Sequence, residues 1–509
     1  MRRVKVGLVF VICIISCVQP LFGQAVTQQS YERARKSLDE SIKAYGGIET
    51  LRSIQNFSIH SEGEFVFRNQ SRKVGGADRS PLRNDFIYDI KNDRYSLLLK
   101  MKFPGAVRSE QRQIFDGKEL FQENLSRRNI SKLPPPPPRR NRNSWLPQFS
   151  LLTAFERANS LRFLGVASFN NRPHEVISFV NETGQQISLY IDSETKLLSK
   201  WERMISDPIA GDTTTETIFT DYKTIGNQKV PTGRIVKIDN EITQEVRYVD
   251  VAVNSSLNDN TFKVDPEFKL AAPETPISLK VTKVAANVYI VGIVTYDELK
   301  VLFIDLKDYI WVMEAPGVGA DSRQVIDKIK ETIPGKPIKY VAVTHHHSDH
   351  AGGVRTYIAD GVTVVTTRGN RGYFERLAKS QFTIAPDDLM LKPQPLKIEF
   401  VENEKRVFTD GTQSVELYNF GPNPHAEEML VAYLPKERIL FEADVLDRPI
   451  NGDYPIAEES AVYLAAWIKR NNLAVEKIIP VHGTITTMTE LLTAVAEREK
   501  RPNDKFPSN

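Results

Sequence analysis

The stretch IKYVAVTHHHSDHAGG, residues 338–353, places four histidines and an aspartate within six positions, His345 to His350, at the end of an apolar run. The whole chain has only eight histidines. An imidazole buried without a partner is costly, so gathering half of the total on one turn calls for a shared partner. The apolar run reads as a buried strand. Gly352-Gly353 and the helical pattern after it read as a tight turn into a helix. Side chains at the carboxyl end of a strand are positioned rigidly by the sheet and stay open above it. Neutral imidazole and carboxylate suit Zn2+ and similar ions, so this turn selects folds in which a sheet delivers metal ligands to a cleft.

Four ligands from one turn cannot all face one ion. His345 pairs naturally with His347, and Asp349 with His350, which makes a two-metal centre the economical reading; His346 is expected as a neighbour and not a ligand. Three further candidates each stand where an apolar run stops. His425 lies in NFGPNPHAEEMLVAYLP, Asp444 ends RILFEADV, and His482 ends KIIPVHG. The plainer alternatives are a nonspecific metal-binding loop, with Asp444 and His482 as ordinary strand-end polar groups. They require several independent coincidences.

The pattern H-x-H-x-D-H, then a lone histidine, an aspartate and a final histidine after a strand, closely resembles that of the metallo-β-lactamase fold hydrolases, over roughly residues 280 to 490. The resemblance implies an α/β fold, an αββα sandwich. It assigns one metal to His345, His347 and His425 and the other to Asp349, His350 and His482, with Asp444 bridging. Two Zn2+ ions are implied, with manganese or iron as possible substitutes. The chemistry is metal-assisted hydrolysis, in which hydroxide held between two cations about 3.5–4 Å apart attacks an ester, lactone, thioester, lactam or phosphoester centre. Asp349 is the expected catalytic residue, orienting the nucleophile and shuttling a proton.

Subfamily features mostly exclude. His347 stands where the diiron flavoprotein branch carries glutamate. The 37 residues between Asp444 and His482 leave no room for the inserted domain of the nucleic-acid-cutting branch, and the 27 after His482 are too few for the helical domain of glyoxalase II. Lactamases themselves usually lack an aspartate at the position of Asp444. Glu314 in MEAP replaces an aspartate common in relatives and receives no role. Two other readings stay open: a single-iron persulfide dioxygenase, and a non-catalytic envelope protein that binds a lipid or partner and carries a structural metal domain.

At 509 residues the chain exceeds one ordinary core. Residues 26–272 read as a β-rich domain with an N-terminal helix over 28–45, and 277–509 as the hydrolase domain, separated near KLAAPETPIS. YGGIETLRSIQNFSIHSEGEF and YIDSETKLLSKWERM loosely resemble the lipoprotein-carrier type of half-open β-barrel, which implies a curved sheet able to hold something apolar or to serve for docking. His60 and His174 read as ordinary histidines, and LPPPPPRRNRN as an exposed spacer. A helix is expected from about Ser322, with Asp321 and Gln324 as its capping pair.

Residues 1–25 have a basic start, a short apolar core and a small-residue exit at Gly23-Gln24-Ala25, the layout of a secretory signal peptide. A periplasmic or extracellular location follows as the expectation. Both cysteines, Cys13 and Cys17, fall within this segment, which excludes thiolate ligands and disulfides from the mature chain. Removing Arg2, Arg3 and Lys5 leaves 64 basic against 64 acidic residues. A neutral chain offers no electrostatic ground for binding nucleic acid, so a small-molecule substrate is expected. Ile14-Ile15-Ser16-Cys17 resembles a lipobox, and membrane contact follows only if Cys17 is lipidated; the apolar continuation VQPLFGQA favours cleavage near Ala25. Mass spectrometry of the mature N-terminus is expected to find Ala25 or a close neighbour unmodified, and an acylated Cys17 would reverse the assignment.

Overall fold

The computed structural model describes residues 25–102, 108–125, 128–134, 145–270, 279–293, 299–446 and 456–500. The expected signal segment up to Gln24, most of the proline run and residues 271–278 of the expected boundary lie outside these. No helix among the described residues is long and apolar enough to cross a membrane.

Ala34, Leu38 and Ile42 recur at the spacing of one helix face, and the helix Val26–Ala44 buries all three. Gly46 and Gly47, both at positive φ, end it. Beyond it, a fourteen-stranded sheet is built from two meanders. The strand Asn56–Phe67 joins them, pairing antiparallel with Asp78–Asp89 on one side and Glu241–Val253 on the other. One sheet face carries an aromatic cluster: Phe86 stacks on Trp145 at 4.9 Å, and Phe57 on Phe149 at 5.5 Å.

Trp145 and Phe149 introduce an element absent from the sequence expectation, the helix Pro147–Glu156 within a region expected to be strands. Pro147 opens its first turn, and every residue from Pro147 to Ala154 is buried. Such a helix shows no polar stripe and so no amphipathic period. This helix and the N-terminal one pack against the aromatic face. His174 is buried and bonded to Arg172 O at 2.9 Å and Ser199 Oγ at 2.8 Å, as its ordinary reading requires.

The C-terminal part stacks four layers. A seven-stranded sheet runs from Leu279–Ala285 to Lys397–Val401, and a six-stranded sheet from Lys405–Thr409 to Thr486–Thr487. Val312, Val341 and Val364 of the first meet Leu417, Ala432 and Phe441 of the second in one core. The helix Gly319–Thr332 covers the outside of the first sheet through Val325, Ile326 and Ile329. Glu459–Arg470 and Met488–Lys500 cover the second through Leu464, Trp467 and Leu491. Gly319–Thr332 starts three residues earlier than expected, because the Asp321 carboxylate accepts from Val318 N (3.0 Å) as a third-position residue and not as the cap.

The strand Ile338–Ala342 lies between Ile310–Met313 and Thr363–Thr367 and is parallel to both. Its carboxyl end opens at the rim of the sandwich, where ligand sites of parallel sheets form.

Phe86→Ala removes a fully buried ring from the aromatic cluster. It is expected to destabilise the N-terminal sheet by about 3–5 kcal/mol, read as an earlier urea transition in the fluorescence of Trp145.

Candidate metal centre

All but one of the polar groups picked out by sequence sit just past the end of a strand. Residues 345–350 follow Ile338–Ala342, Asp444 follows Ile439–Glu442, and His482 follows Lys477–Pro480. His425 occupies a turn before Leu430–Leu434, where Asn423 Oδ1 accepts from the backbone N–H of His425 (2.9 Å) and Ala426 (3.0 Å). Leu430 N donates to Thr344 O (2.8 Å), tying that turn to the histidine turn. Asp444 has φ +58°, a left-handed conformation an aspartate tolerates. The buried Glu442 carboxylate steadies it by accepting from Val445 N (3.2 Å).

Gly353 leads into the helix Val354–Ala359 as expected, but the two glycines serve close packing and not a strained turn. Gly352 has an ordinary helical φ of −63°. A Cβ there would lie 2.1 Å from Gly317 O, and one on Gly353 would lie 2.8 Å from Pro316 O. The glycines thus admit the loop of residues 315–317 against the turn, where Ala315 N donates to His350 O (3.0 Å) and Gly317 N to Asp349 O (3.0 Å).

The structure brings all seven groups together in two clusters that share Asp444. One is His345, His347, His425 and Asp444; the other is Asp349, His350, Asp444 and His482; within each, the donor atoms lie within 4.8 Å of one another. Asp444 Oδ2 lies 3.3 Å from His345 Nε2, 3.0 Å from His425 Nε2 and 2.9 Å from His350 Nε2, while Oδ1 faces His482 Nε2 at 3.5 Å. Asp349 Oδ2 stands 3.4 Å from both His350 Nε2 and His482 Nε2. His425 Nε2 is 3.1 Å from His345 Nε2 and 3.0 Å from His347 Nδ1.

The donor set fits cations. Ser71 O can only accept, so His347 Nε2 donates to it (2.9 Å) and the Nδ1 lone pair turns inward. Three imidazole nitrogens and a carboxylate oxygen then converge within 4.8 Å of one another, an arrangement one cation can satisfy. Burial and the neighbouring His350 push the His345 pKa down to about 3, and burial holds His347 well below its usual value. Both are therefore neutral at neutral pH, the form that ligates. Burial opposes ionisation of Asp349 and Asp444 as well, yet His350 holds both carboxyls well below their usual range. Burial likewise opposes the charged forms of His350 and His482, and the facing carboxylates, Asp444 foremost, keep both above the ordinary histidine value.

Two residues outside the sequence candidates take part. Glu314, to which sequence gave no role, is fully buried, with Oε2 3.2 Å from His350 Nδ1 and Oε1 accepting from Thr344 N (3.3 Å). It sits at φ +93°, costly for a glutamate, and orients the ring whose other nitrogen faces Asp444. Its signal was its position, directly after the strand Ile310–Met313 in the same parallel set. Gln70, from the N-terminal sheet, donates to Asp349 Oδ1 (2.7 Å), and nothing local in sequence announces it. His346 is buried edge-on against Tyr373, away from both clusters, and burial pushes its pKa down to about 4.

Residues 316–482 match the family model of the metallo-beta-lactamase superfamily. Among solved structures, a metallo-beta-lactamase from Pontibacter korlensis aligns with 22% identity over 44% of this chain and 99% of its own, at a TM-score of 0.33. The FIM-1 metallo-beta-lactamase from Pseudomonas aeruginosa, in its mono-zinc form, aligns with 19% identity over 45% of this chain and 99% of its own, also at 0.33. No curated protein matches.

Glu314→Gln keeps the shape but removes the charge beside His350. It is expected to weaken metal binding by roughly 10- to 100-fold, measured by competition with a chromogenic chelator; unchanged affinity would deny Glu314 this part.

Proposed function

We propose, from a C-terminal domain with the metallo-beta-lactamase fold, that this protein is an exported hydrolase with two zinc ions. The observation that carries the reading is the pair of donor clusters joined through Asp444. His345, His347 and His425 would hold one cation and Asp349, His350 and His482 the other, with Asp444 between them. The second cluster is complete in itself, which favours two cations over the single iron of a dioxygenase.

A pair of divalent cations supplies hydroxide near neutral pH and draws charge from the oxygen of a carbonyl or phosphoryl group. The chain's own residues do the rest. Asp349, its carboxyl the most exposed of the donor groups at 40%, is placed to accept the nucleophile's proton and return it to the leaving group. His425 and His482 line the same open side, at 13% and 18% exposure, while His345, His347 and His350 form the closed floor. Glu314 places its carboxylate 3.2 Å from the outer nitrogen of His350 on that floor.

The substrate is a small ester, lactone, thioester, lactam or phosphoester. The even charge of the chain after residue 25 supports a small molecule over nucleic acid, and the composition of residues 1–25 supports a periplasmic or extracellular location.

Metal analysis of the purified mature protein is expected to find two zinc per chain, with turnover in a panel of β-lactam, lactone, thioester and phosphodiester substrates. Exhaustive chelation and His347→Ala should each reduce that turnover by at least about a hundredfold. One iron per chain, or full activity after chelation, would overturn the proposal.

A further inference from the structure

The donor clusters belong to the C-terminal domain, yet part of their support comes from the other one. The connection between Asn56–Phe67 and Asp78–Asp89, residues 68–77, leaves the N-terminal sheet and lies over the histidine turn. Asn69 O accepts from Ser348 N (3.2 Å). Gln70 Nε2 donates to Ser348 Oγ (3.0 Å) and Asp349 Oδ1 (2.7 Å), which commits both of its amide hydrogens. Ser71 O accepts from His347 Nε2 (2.9 Å). Arg72 grips the His425 turn, donating through Nε to Asn423 O (2.8 Å) and accepting at its carbonyl from Glu427 N (2.9 Å).

This connection is itself braced. Ser71 is buried, and its hydroxyl donates to Phe67 O (2.5 Å) and accepts from Asp78 N (2.9 Å). Arg72 N donates to Asp78 Oδ2 (2.7 Å). Arg68 pairs with Asp207 (3.0 Å) at the turn before Gly211–Ile225, and with Asp239 (3.2 Å) and Glu241 (2.8 Å) at the turn that opens Glu241–Val253, which ties the connection to two other turns of the N-terminal sheet. The first of these turns also docks. Ile209 packs into the core of the C-terminal sandwich. Asp212 accepts from Thr383 N (2.6 Å) and Ile384 N (3.1 Å). Gly211 has φ +75°, and a Cβ on it would lie 2.1 Å from Gln381 O, so only glycine permits this approach.

From this geometry we infer that residues 69–72 of the N-terminal domain are a positioning element of the metal centre, with Gln70 setting the orientation of Asp349. The inference rests on the metal-centre reading above. The Ser71 carbonyl selects the His347 tautomer that turns Nδ1 toward His345 and His425. The Gln70 amide engages Asp349 Oδ1 and thereby directs Oδ2 toward His350 and His482. Gln70 is a positioning residue and not a catalytic one, since neither of its amide hydrogens is left for a substrate. Partners that orient metal ligands from outside contribute roughly 10- to 100-fold in affinity. The N-terminal domain is thereby part of the metal centre.

The test uses the full mature chain, stripped of metal and titrated with zinc against a competing chelator. Gln70→Ala removes the side chain; Gln70→Glu keeps its shape but sets a carboxylate against Asp349. Wild type should bind two equivalents. In both variants one equivalent should keep its affinity and the other weaken roughly 10- to 100-fold, with the thermal midpoint of the metal-free chain unchanged. Unaltered affinity for both equivalents overturns the inference while leaving the metal centre standing. Equal loss at both, with a lowered midpoint, also overturns it, by showing general destabilisation. Failure of the wild-type chain to take up zinc overturns the metal-centre reading and this inference with it.

Discussion

The Nε2 of His425 stands 3.1 Å from that of His345, 3.0 Å from Nδ1 of His347 and 3.0 Å from the carboxylate of Asp444. So many polar groups brought together on a largely buried floor need a common partner. A folded chain can hold such a cluster only by enforcing it from all sides and offering it to a cation. Much of the C-terminal domain is that enforcement. The parallel strands fix where the turns begin, and Glu314 and Asp444 accept left-handed backbone to aim their carboxylates. The two glycines at 352 and 353 admit the loop that grips His350 and Asp349 from behind.

The enforcement is graded by depth. His345 and His350 are sealed, and their outward nitrogens face Thr344 and Glu314. His347 is equally buried, but its outer nitrogen meets the carbonyl of Ser71, from the other domain. Asp349 is the most open of the set and is steadied by Gln70, again from the other domain. The most exposed donor, Asp349, is thus one that the N-terminal domain braces. The helices of the β-rich domain pack on its aromatic face, and its turns contact the neighbouring centre.

Much of the C-terminal architecture was legible because its strands are short, mainly apolar runs between clear turns, and all the donor groups except His425 follow the end of such a run. Legibility failed where burial was complete. The helix Pro147–Glu156 carries apolar residues on all sides, so no period separated it from strand. Glu314 looked like a departure from a pattern, because its partner, His350, lies 36 positions away. Gln70 stands in a polar connection with no local peculiarity.

The sequence by itself determined the chemistry of the donors: five histidines and two aspartates, with both cysteines confined to the first 25 residues. Spacing along the chain also determined that His345 and His347 act as one pair and Asp349 and His350 as another. Only the tertiary structure decided that His425, Asp444 and His482 reach the same volume, because contact across 75 to 132 residues depends on strand order and not on local pattern. It alone decided, too, which nitrogen of His347 and which oxygen of Asp349 face inward. Those choices are made by hydrogen bonds from Ser71 and Gln70, nearly 280 positions earlier in the chain, and a hydrogen bond between domains leaves no trace in the sequence around either partner.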